Sequence, residues 1–178
     1  MTDPATARLA SAVAPVLHTG QRLRTVTDAD GPALVALVGA AYDEYVCGPL
    51  DPDGFDADLA APATSAATTG RSWWVVTDTD RVVASVAHGP LHASPPVVEL
   101  HRLYLAPEVR GIGLASALIT AIAEEARLGG AGALEAWSDT RLVDAHTRYL
   151  RLGFALTGAQ RDLHDPAGTT ELHFSLPL

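Results

Sequence analysis

The stretch 107–119, PEVRGIGLASALI, decides the fold of this chain. Its arginine, Arg110, and its two glycines, Gly111 and Gly113, come directly before apolar residues with helical spacing. The N-terminus of a helix has unpaired backbone N–H groups and the positive end of the helix dipole, so it attracts anions. Glycine lets the backbone approach a phosphate closely, and arginine can donate two hydrogen bonds to an oxyanion. The stretch therefore predicts a helix start that binds a diphosphate.

An ordinary loop that needs glycine for its turn is the alternative for so short a motif. Two other phosphate-binding motifs do not fit the same residues. The dinucleotide-binding fingerprint needs a third glycine, and Ser116 stands at that position. A P-loop needs a lysine, and the chain contains none.

The composition predicts one folded domain without a nucleic-acid or membrane partner. The chain has 178 residues, 48% of them hydrophobic, and a formal net charge of −9. Nucleic-acid binding needs concentrated positive charge, so this balance disfavours it. No apolar run is long enough to span a membrane, and the first residues lack the positive charge of a secretion signal, so we expect a cytoplasmic location. Cys47 is the only cysteine, which excludes an internal disulfide and a multi-cysteine zinc site.

Hydrophobic periodicity predicts a succession of strands and helices from residue 21 onward. Residues 1–20 are interrupted by Pro15 and Gly20, so we expect a loosely held arm, with a short helix as the alternative. The predicted strands cover 22–26, a hairpin over 72–89, 97–105, 133–138 and 170–176, and the predicted helices begin at Thr27 or Asp28, at 113 and at 141. The passage 97–138 is long enough for a right-handed crossover, so its two strands should be parallel. The fold class is therefore α/β or α+β with a mixed sheet.

The start of the predicted 113–130 helix resembles a family signature. In the GNAT superfamily of acyl-CoA-dependent N-acetyltransferases, the pattern Q/R-x-x-G-x-G/A opens the long helix after the fourth strand. The stretch RGIGLA matches this pattern with Arg110, Gly113 and Ala115.

A second family pattern follows in the expected order. It reads N-x-x-A-x-x-x-Y-x-x-x-G-F, and LVDAHTRYLRLGF matches it with Ala145, Tyr149, Gly153 and Phe154. Leu142 replaces the asparagine, which affects one local hydrogen bond. The resemblance extends from about residue 21 to the end of the chain.

The resemblance implies a mixed, mostly antiparallel sheet of six or seven strands flanked by helices, with a splayed parallel pair that forms an acetyl-CoA cleft. It also implies a single acetyltransferase domain over 21–178, after the arm. The backbone at Leu103 and Leu105 would contact the pantetheine chain, while core packing is the alternative role of both leucines. The diphosphate would lie on the helix start, namely on Arg110, Gly111, Ile112, Gly113, Leu114, Ala115 and Ser116. Acetyl-CoA is thus the implied co-substrate.

Acetyl transfer to an amine needs a neutral nucleophile and a proton for the departing thiolate. The resemblance implies that Tyr149 is the general acid, and a tyrosine that packs its helix on the sheet is the alternative. Glu99 is the first candidate for the base, because even spacing along a strand places it on one face with His101, Leu103 and Leu105. A solvated or paired surface glutamate is the alternative, and His101 is the next candidate.

Two clusters of polar residues have less specific interpretations. The grouped histidines His88, His92 and His101 lack the tight spacing of a zinc site, so we expect no metal. The segment 43–58 has six carboxylates and no basic residue, which favours a cationic acceptor if it faces the cleft. A solvated acidic loop is an equally good interpretation.

Three functions are compatible with these residues. The first is transfer of an acetyl group from acetyl-CoA to a primary amine of a small molecule. The second is acetylation of a protein N-terminus or lysine, and the third is a CoA-binding module without catalysis. Because family members often pair, the resemblance also implies a homodimer.

Overall fold

One seven-stranded sheet forms the centre of the molecule. The computed structural model describes residues 3–90 and 96–178. The strands within them are β1 (Gln21–Thr25), β2 (Ser72–Asp78), β3 (Arg81–Pro90), β4 (Val97–Leu105), β5 (Ala133–Asp139), β6 (Ala155–Asp162) and β7 (Thr170–Pro177). Their order is β1-β2-β3-β4-β5-β7-β6, and only β4 and β5 are parallel. The mixed, mostly antiparallel sheet, its hairpin and its parallel pair are thus confirmed.

Helices cover both faces of this sheet. In the described residues they are α1 (Pro4–Val13), α2 (Gly31–Tyr45), α3 (Pro62–Thr69), α4 (Leu114–Leu128) and α5 (Val143–Arg151). Trp74 of β2 donates a hydrogen bond of 2.8 Å to Thr6 of α1, so its face of the sheet carries α1, with α4 packed beside it. The opposite face carries α2, whose Tyr42 packs against Tyr104 of β4. No helix in these ranges is long and apolar enough to cross a membrane.

An ion pair fixes the start of α2. Arg24 of β1 donates hydrogen bonds of 2.6 and 2.7 Å to the carboxylate of Asp30. The same carboxylate accepts the backbone N–H of Thr27 at 2.7 Å. The hydrogen bonds from Arg24 hold the pKa of Asp30 below its ordinary value. This arrangement joins the start of α2 to β1.

The N-terminal segment is part of the core, whereas the sequence predicted a loosely held arm. It forms the ten-residue helix α1, which begins where the Asp3 carboxylate accepts the Thr6 N–H at 3.0 Å. Leu9 and Val13 are fully buried. With Thr6 they make a narrow buried stripe, which explains why the periodicity of the segment is weak. The short-helix alternative is confirmed, and the extent of the acetyltransferase domain, 21–178, stays a prediction.

The sequence analysis did not predict the helix α3 or the strand β6. The helix α3 is rich in alanine and threonine and buries only Pro62 and Ala66, so it has almost no hydrophobic periodicity. The strand β6 is exposed along its whole length and therefore shows no alternation of apolar and polar residues. It pairs with β7 at the edge of the sheet and brings the strand number to seven.

The parallel pair separates after a short run of pairing. Val97–Leu100 of β4 pair with Ala133–Ala136 of β5. Beyond this point β4 continues along β3, and β5 continues along β7. In the described part of the chain, residues 101–105 therefore have no strand partner on the side of β5. The backbone groups on that edge of β4 face the resulting opening.

A β-bulge at Arg102 reverses the alternation of side chains along β4. Arg102 has a φ of +50°, and the register with β3 shifts by one residue at this point. His101 is opposite Ala87, and Tyr104 is opposite Ser85, so both belong to the same face of the sheet. The prediction that Leu103 and Leu105 share the face of Glu99 and His101 is therefore wrong. Tyr104 takes their place on it.

Candidate active site

A cavity of about 440 Å³, here called the α4-side cavity, occupies the opening between β4, α2, α4 and α5. Most of the predicted coenzyme residues line it, namely Leu103, Leu105, Arg110, Gly111, Gly113, Leu114 and Ala115. Ile112 instead packs against the hydrophobic core. Ser116 contacts this region through its hydroxyl, which accepts a hydrogen bond of 3.2 Å from Arg148 of α5. The structure thus brings the predicted residues together, and their contact with a coenzyme stays a prediction.

The start of α4 exposes backbone donors towards this cavity. Gly111 and Gly113 have φ values of +76° and +92°, and Gly113 is the residue before the first helical turn. The first α-helical bond runs from the Ala117 N–H to the Gly113 carbonyl, at 3.0 Å. The preceding N–H groups of the helix have no partner within it. An added Cβ would meet nothing within 4 Å at Gly111 and only Val16, at 3.7 Å, at Gly113. Backbone conformation, rather than lack of space, therefore requires glycine here.

Arg110 already has a carboxylate partner at the mouth of the cavity. Its Nε donates to the Leu105 carbonyl at 2.9 Å, and its NH1 donates to Oε1 of Glu44 at 2.6 Å. The hydrogen bond from Arg110 lowers the pKa of the Glu44 carboxyl. Beside it, the Tyr45 hydroxyl donates to Asp144 of α5 at 2.6 Å. The end of α2 is thus joined to both sides of the cavity.

Tyr149 of α5 lies between this cavity and a second one. It lines both, and only 5% of it is exposed. Its ring packs on Phe154 and Phe174, each at 5.3 Å between ring centres. Burial raises the pKa of the Tyr149 phenol, so the hydroxyl keeps its proton at neutral pH. The packing alternative therefore describes the ring, and the donor role of the hydroxyl stays a prediction.

The second cavity, here called the α2-side cavity, has a volume of about 430 Å³ and adjoins the first, with which it shares lining residues such as Leu103, Tyr104 and Tyr149. Its lining combines aromatic and charged side chains, among them Tyr42, Phe55, Arg71, Glu99, His101, Arg102, Tyr104, Trp137, Arg161 and Glu171. Arg161 lies over the Trp137 ring, 4.5 Å from its centre, and donates to Glu171 at 2.6 Å. The two cavities meet at the splayed strands.

Glu99 is a buried carboxylate at the floor of the α2-side cavity. It is 5% exposed, and it lies 3.5 Å from Nδ1 of His101 and 3.7 Å from the NH2 group of the Arg161 guanidinium. Burial raises the pKa of Glu99, and Arg161 opposes that shift. A solvated surface position of Glu99 is therefore excluded, whereas the paired alternative agrees with the neighbouring Arg161. A carboxylate with a raised pKa is a better proton acceptor than an exposed one.

His101 is a poorer candidate for the base. Burial, together with the charges of Arg71 and Arg102, lowers the pKa of His101 to about 3. An imidazole with so low a pKa is neutral at physiological pH but holds a proton only weakly. Of the two residues that the sequence put forward, Glu99 is the stronger proton acceptor.

Distant arginines compensate much of the acidic segment 43–58. Arg102 donates to Asp56 at 2.7 Å and to Asp58 at 2.5 Å. Glu44 is paired with Arg110. The segment is thus neither a free acidic surface nor a purely solvated loop, because β4 holds it against the α2-side cavity.

Of the grouped histidines, the two that the structure describes, His88 and His101, do not lie together. His88 is opposite Leu100 in the β3 and β4 register and His101 is opposite Ala87, so the two side chains belong to opposite faces of the sheet. His92 lies outside the described residues. Within those residues, no three histidine, cysteine or acidic side chains are grouped as metal ligands.

Several residues of the site were missed by sequence reasoning. Regular alternation along β4 places Tyr104 on the wrong face of the sheet, because it takes no account of the bulge. Arg71 and Arg161 reach the α2-side cavity from other parts of the chain. The sequence offered no signal for either arginine. Arg148 and Arg151 lay within the second motif, yet the pattern assigns them no role.

Comparisons with known proteins agree with this architecture. The model of the GNAT acetyltransferase family matches residues 35–154, which is more than half of the chain. The chain therefore belongs to the GNAT acetyltransferase family. A comparison with curated proteins finds no match.

Solved structures share the fold at low sequence identity. An acetyltransferase from Streptococcus agalactiae has a TM-score of 0.73 at 15% identity, over 90% of this chain and 100% of that one. The protein yncA from Salmonella typhimurium, solved with its cofactor acetyl-CoA, has a TM-score of 0.66 at 20% identity, over 90% and 95%. A ribosomal-protein-alanine N-acetyltransferase from Brucella melitensis has a TM-score of 0.65 at 22% identity, over 88% and 99%.

Proposed function

We propose that this protein transfers an acetyl group from acetyl-CoA to a primary amine of a small molecule. The observation that carries the proposal is the position of Tyr149 between two cavities. One cavity has a helix start suited to a diphosphate, and the other has a buried carboxylate. A thioester and an amine bound in these two cavities would approach each other beside the phenol.

The residues of the α4-side cavity fit the coenzyme. The unpaired edge of 101–105 offers backbone groups to the amides of a pantetheine chain, as a sheet edge does to an added strand. The N–H groups before Ala117 and the guanidinium of Arg110 suit the diphosphate. Both features arise from the backbone, so they depend little on which side chains occupy 103 and 105.

Acetyl-CoA would supply its acetyl group as a thioester, whose C–S bond breaks as the C–N bond of the amide forms. Tyr149 is positioned to donate its phenolic proton to the departing thiolate. A buried phenol keeps this proton at neutral pH, which is what a general acid requires. The phenol then recovers a proton from solvent, so that the coenzyme leaves as a thiol.

Glu99 is proposed to remove a proton from the incoming ammonium group, directly or through one water. The nitrogen loses a second proton as the amide forms, and both this proton and the one taken up by Glu99 then pass to solvent. The raised pKa of Glu99 improves it as a proton acceptor, and the neighbouring Arg161 favours its ionised form. Asp56 and Glu171 add negative charge to the same cavity, although each is paired with an arginine.

The size of the α2-side cavity favours a small acceptor. Its volume of about 430 Å³ lies within the range of small-molecule sites, roughly 300–1,000 Å³. A protein N-terminus or a lysine would have to enter this same cavity as an extended chain. A CoA-binding module would have no use for a buried carboxylate opposite the phenol.

A thiol-release assay tests the proposal. The purified protein is incubated with acetyl-CoA and a panel of polyamines, aminoglycosides, amino acids and peptides. Release of free CoA with a small amine supports the proposal, whereas release only with peptides would favour a protein acceptor. Binding of acetyl-CoA without release on any amine would favour the module, and no binding at millimolar concentration would overturn all three.

A further inference from the structure

Most arginines of this chain are already paired with carboxylates. Nine of the twelve form an ion pair, namely Arg8, Arg24, Arg71, Arg81, Arg102, Arg110, Arg127, Arg141 and Arg161. Among the described residues, this leaves Arg22, Arg148 and Arg151. In a chain with a net charge of −9, an arginine without an acidic partner is the exception.

Two of these three arginines lie side by side in the α4-side cavity. Arg148 and Arg151 are three residues apart on α5, so they project from the same side of the helix, and both line the cavity. Arg148 donates a hydrogen bond of 3.2 Å to the Ser116 hydroxyl, which places its guanidinium beside the first turn of α4. The pair therefore lies next to the helix start to which the diphosphate is assigned.

Two carboxylates at this end of the molecule, those of Asp144 and Glu44, have other partners. Asp144, which also lines the cavity, accepts the hydroxyl of Tyr45, and Glu44 accepts Arg110. The positive charge of Arg148 and Arg151 thus remains available to a ligand. Both arginines lie in the last turn of α5, where the helix dipole stabilises positive charge. This explains why basic residues occur in that turn, but it does not explain why both side chains line the cavity.

We propose that Arg148 and Arg151 bind the 3′-phosphate of the adenosine ribose and so select CoA over 3′-dephospho-CoA. This inference rests on the proposed function. CoA carries a phosphate monoester close to its diphosphate, and such a group has a charge of about −1.5 to −2 at neutral pH. Arginine binds phosphate oxygens through two parallel hydrogen bonds, which matches a pair of guanidinium groups without acidic partners.

Calorimetric titration with CoA and with 3′-dephospho-CoA tests this inference. The wild type should bind CoA about ten- to a hundredfold more tightly, because charge-assisted hydrogen bonds to the monoester are lost in the shorter ligand. The double variant Arg148→Gln/Arg151→Gln should lose this preference and keep its affinity for 3′-dephospho-CoA. Arg22→Gln removes the third unpaired arginine and should leave both affinities unchanged. Arg148→Lys/Arg151→Lys keeps the charge and should retain part of the preference even if the glutamine variant is unstable.

Three results would overturn the inference. The wild type could bind both ligands equally, or the glutamine variants could keep the preference for CoA. An equal loss of affinity for both ligands would instead assign the arginines to the diphosphate. If acetyl transfer proceeds while any of these is observed, only this inference fails, whereas absence of binding by both ligands would also remove the proposed function.

Discussion

Arg110 donates a hydrogen bond of 2.6 Å to the Glu44 carboxylate, so the cation at the predicted diphosphate site has an anionic partner before any ligand binds. A diphosphate must compete with this carboxylate. Glu44→Gln should therefore strengthen acetyl-CoA binding several-fold, because it removes both the competitor and a repulsive charge. Calorimetry measures the effect, and Glu124→Gln, which breaks the exposed pair with Arg127, is the matched control. Weaker binding would mean that Glu44 holds Arg110 in its binding position.

Gly113 should be needed for coenzyme binding more than for folding. Its φ of +92° is unfavourable for any residue with a Cβ, at a cost of about 1–2 kcal/mol. Gly113→Val should abolish the rise in melting temperature that acetyl-CoA causes. Gly70 has a φ of +68°, caps α3 and has open space around it, so Gly70→Val imposes a similar strain away from the cavity. If both variants keep the ligand-induced rise, the helix start does not bind the diphosphate.

Tyr149→Phe should slow turnover without weakening acetyl-CoA binding. General acid catalysis contributes about 10²–10⁴-fold, so kcat should fall within this range while the dissociation constant stays near that of the wild type. An acetyl thioester with a more acidic thiol needs no proton donor, and its use should restore much of the rate. A large loss of affinity instead would identify Tyr149 as a packing residue, in line with its contacts to Phe154 and Phe174.

The pH dependence should report Glu99. As a base it acts in its deprotonated form, so kcat/KM should fall as the pH drops through the pKa of Glu99, which burial raises above 4.5. Arg161 favours the carboxylate and lowers this pKa, so Arg161→Gln should move the acid limb to higher pH. Arg22→Gln removes an equal charge elsewhere and should leave the limb in place. An acid limb that persists in Glu99→Gln would assign it to another group.

Helix α1 should contribute to the stability of the whole molecule. Leu9 is fully buried, and removing most of a buried leucine side chain costs about 2–5 kcal/mol. Leu9→Ala should therefore lower the free energy of unfolding by this amount in urea denaturation. Leu128 is 58% exposed at the end of α4, and Leu128→Ala should change the stability by less than about 0.5 kcal/mol. Equal, small effects would support the loosely held arm.

The fold was predictable because the sequence patterns that indicate it each involve residues close together in the chain. The glycines before α4, the alternation in β2 and β3, and the length between β4 and β5 each depend on neighbouring residues of the chain. The position of the predicted coenzyme residues around one cavity follows from the same motif. Packing of α1 was not predictable, because its stripe of three buried residues is recognised only against α4 and the sheet, which lie far away in the sequence.

The interior of the site could not be predicted, because it depends on residues far apart in sequence. Glu44 and Arg110 are 66 positions apart, and Arg102 reaches back 46 positions to Asp56. The bulge in β4 arises from its pairing with β3, so even spacing failed for Leu103 and Leu105 while it held for Glu99 and His101. The choice between Glu99 and His101 depends on their burial and on the arginines around them, which the sequence does not place.

The bulge at Arg102 makes the length of β4 as important as its composition. Deletion of this one residue would leave nearly every hydrophobic side chain in the strand, yet it would turn Tyr104 towards α4 and a leucine towards α2. It would also remove the guanidinium that holds Asp56 and Asp58. Point substitutions along the strand should thus be tolerated far better than the insertion or deletion of a residue.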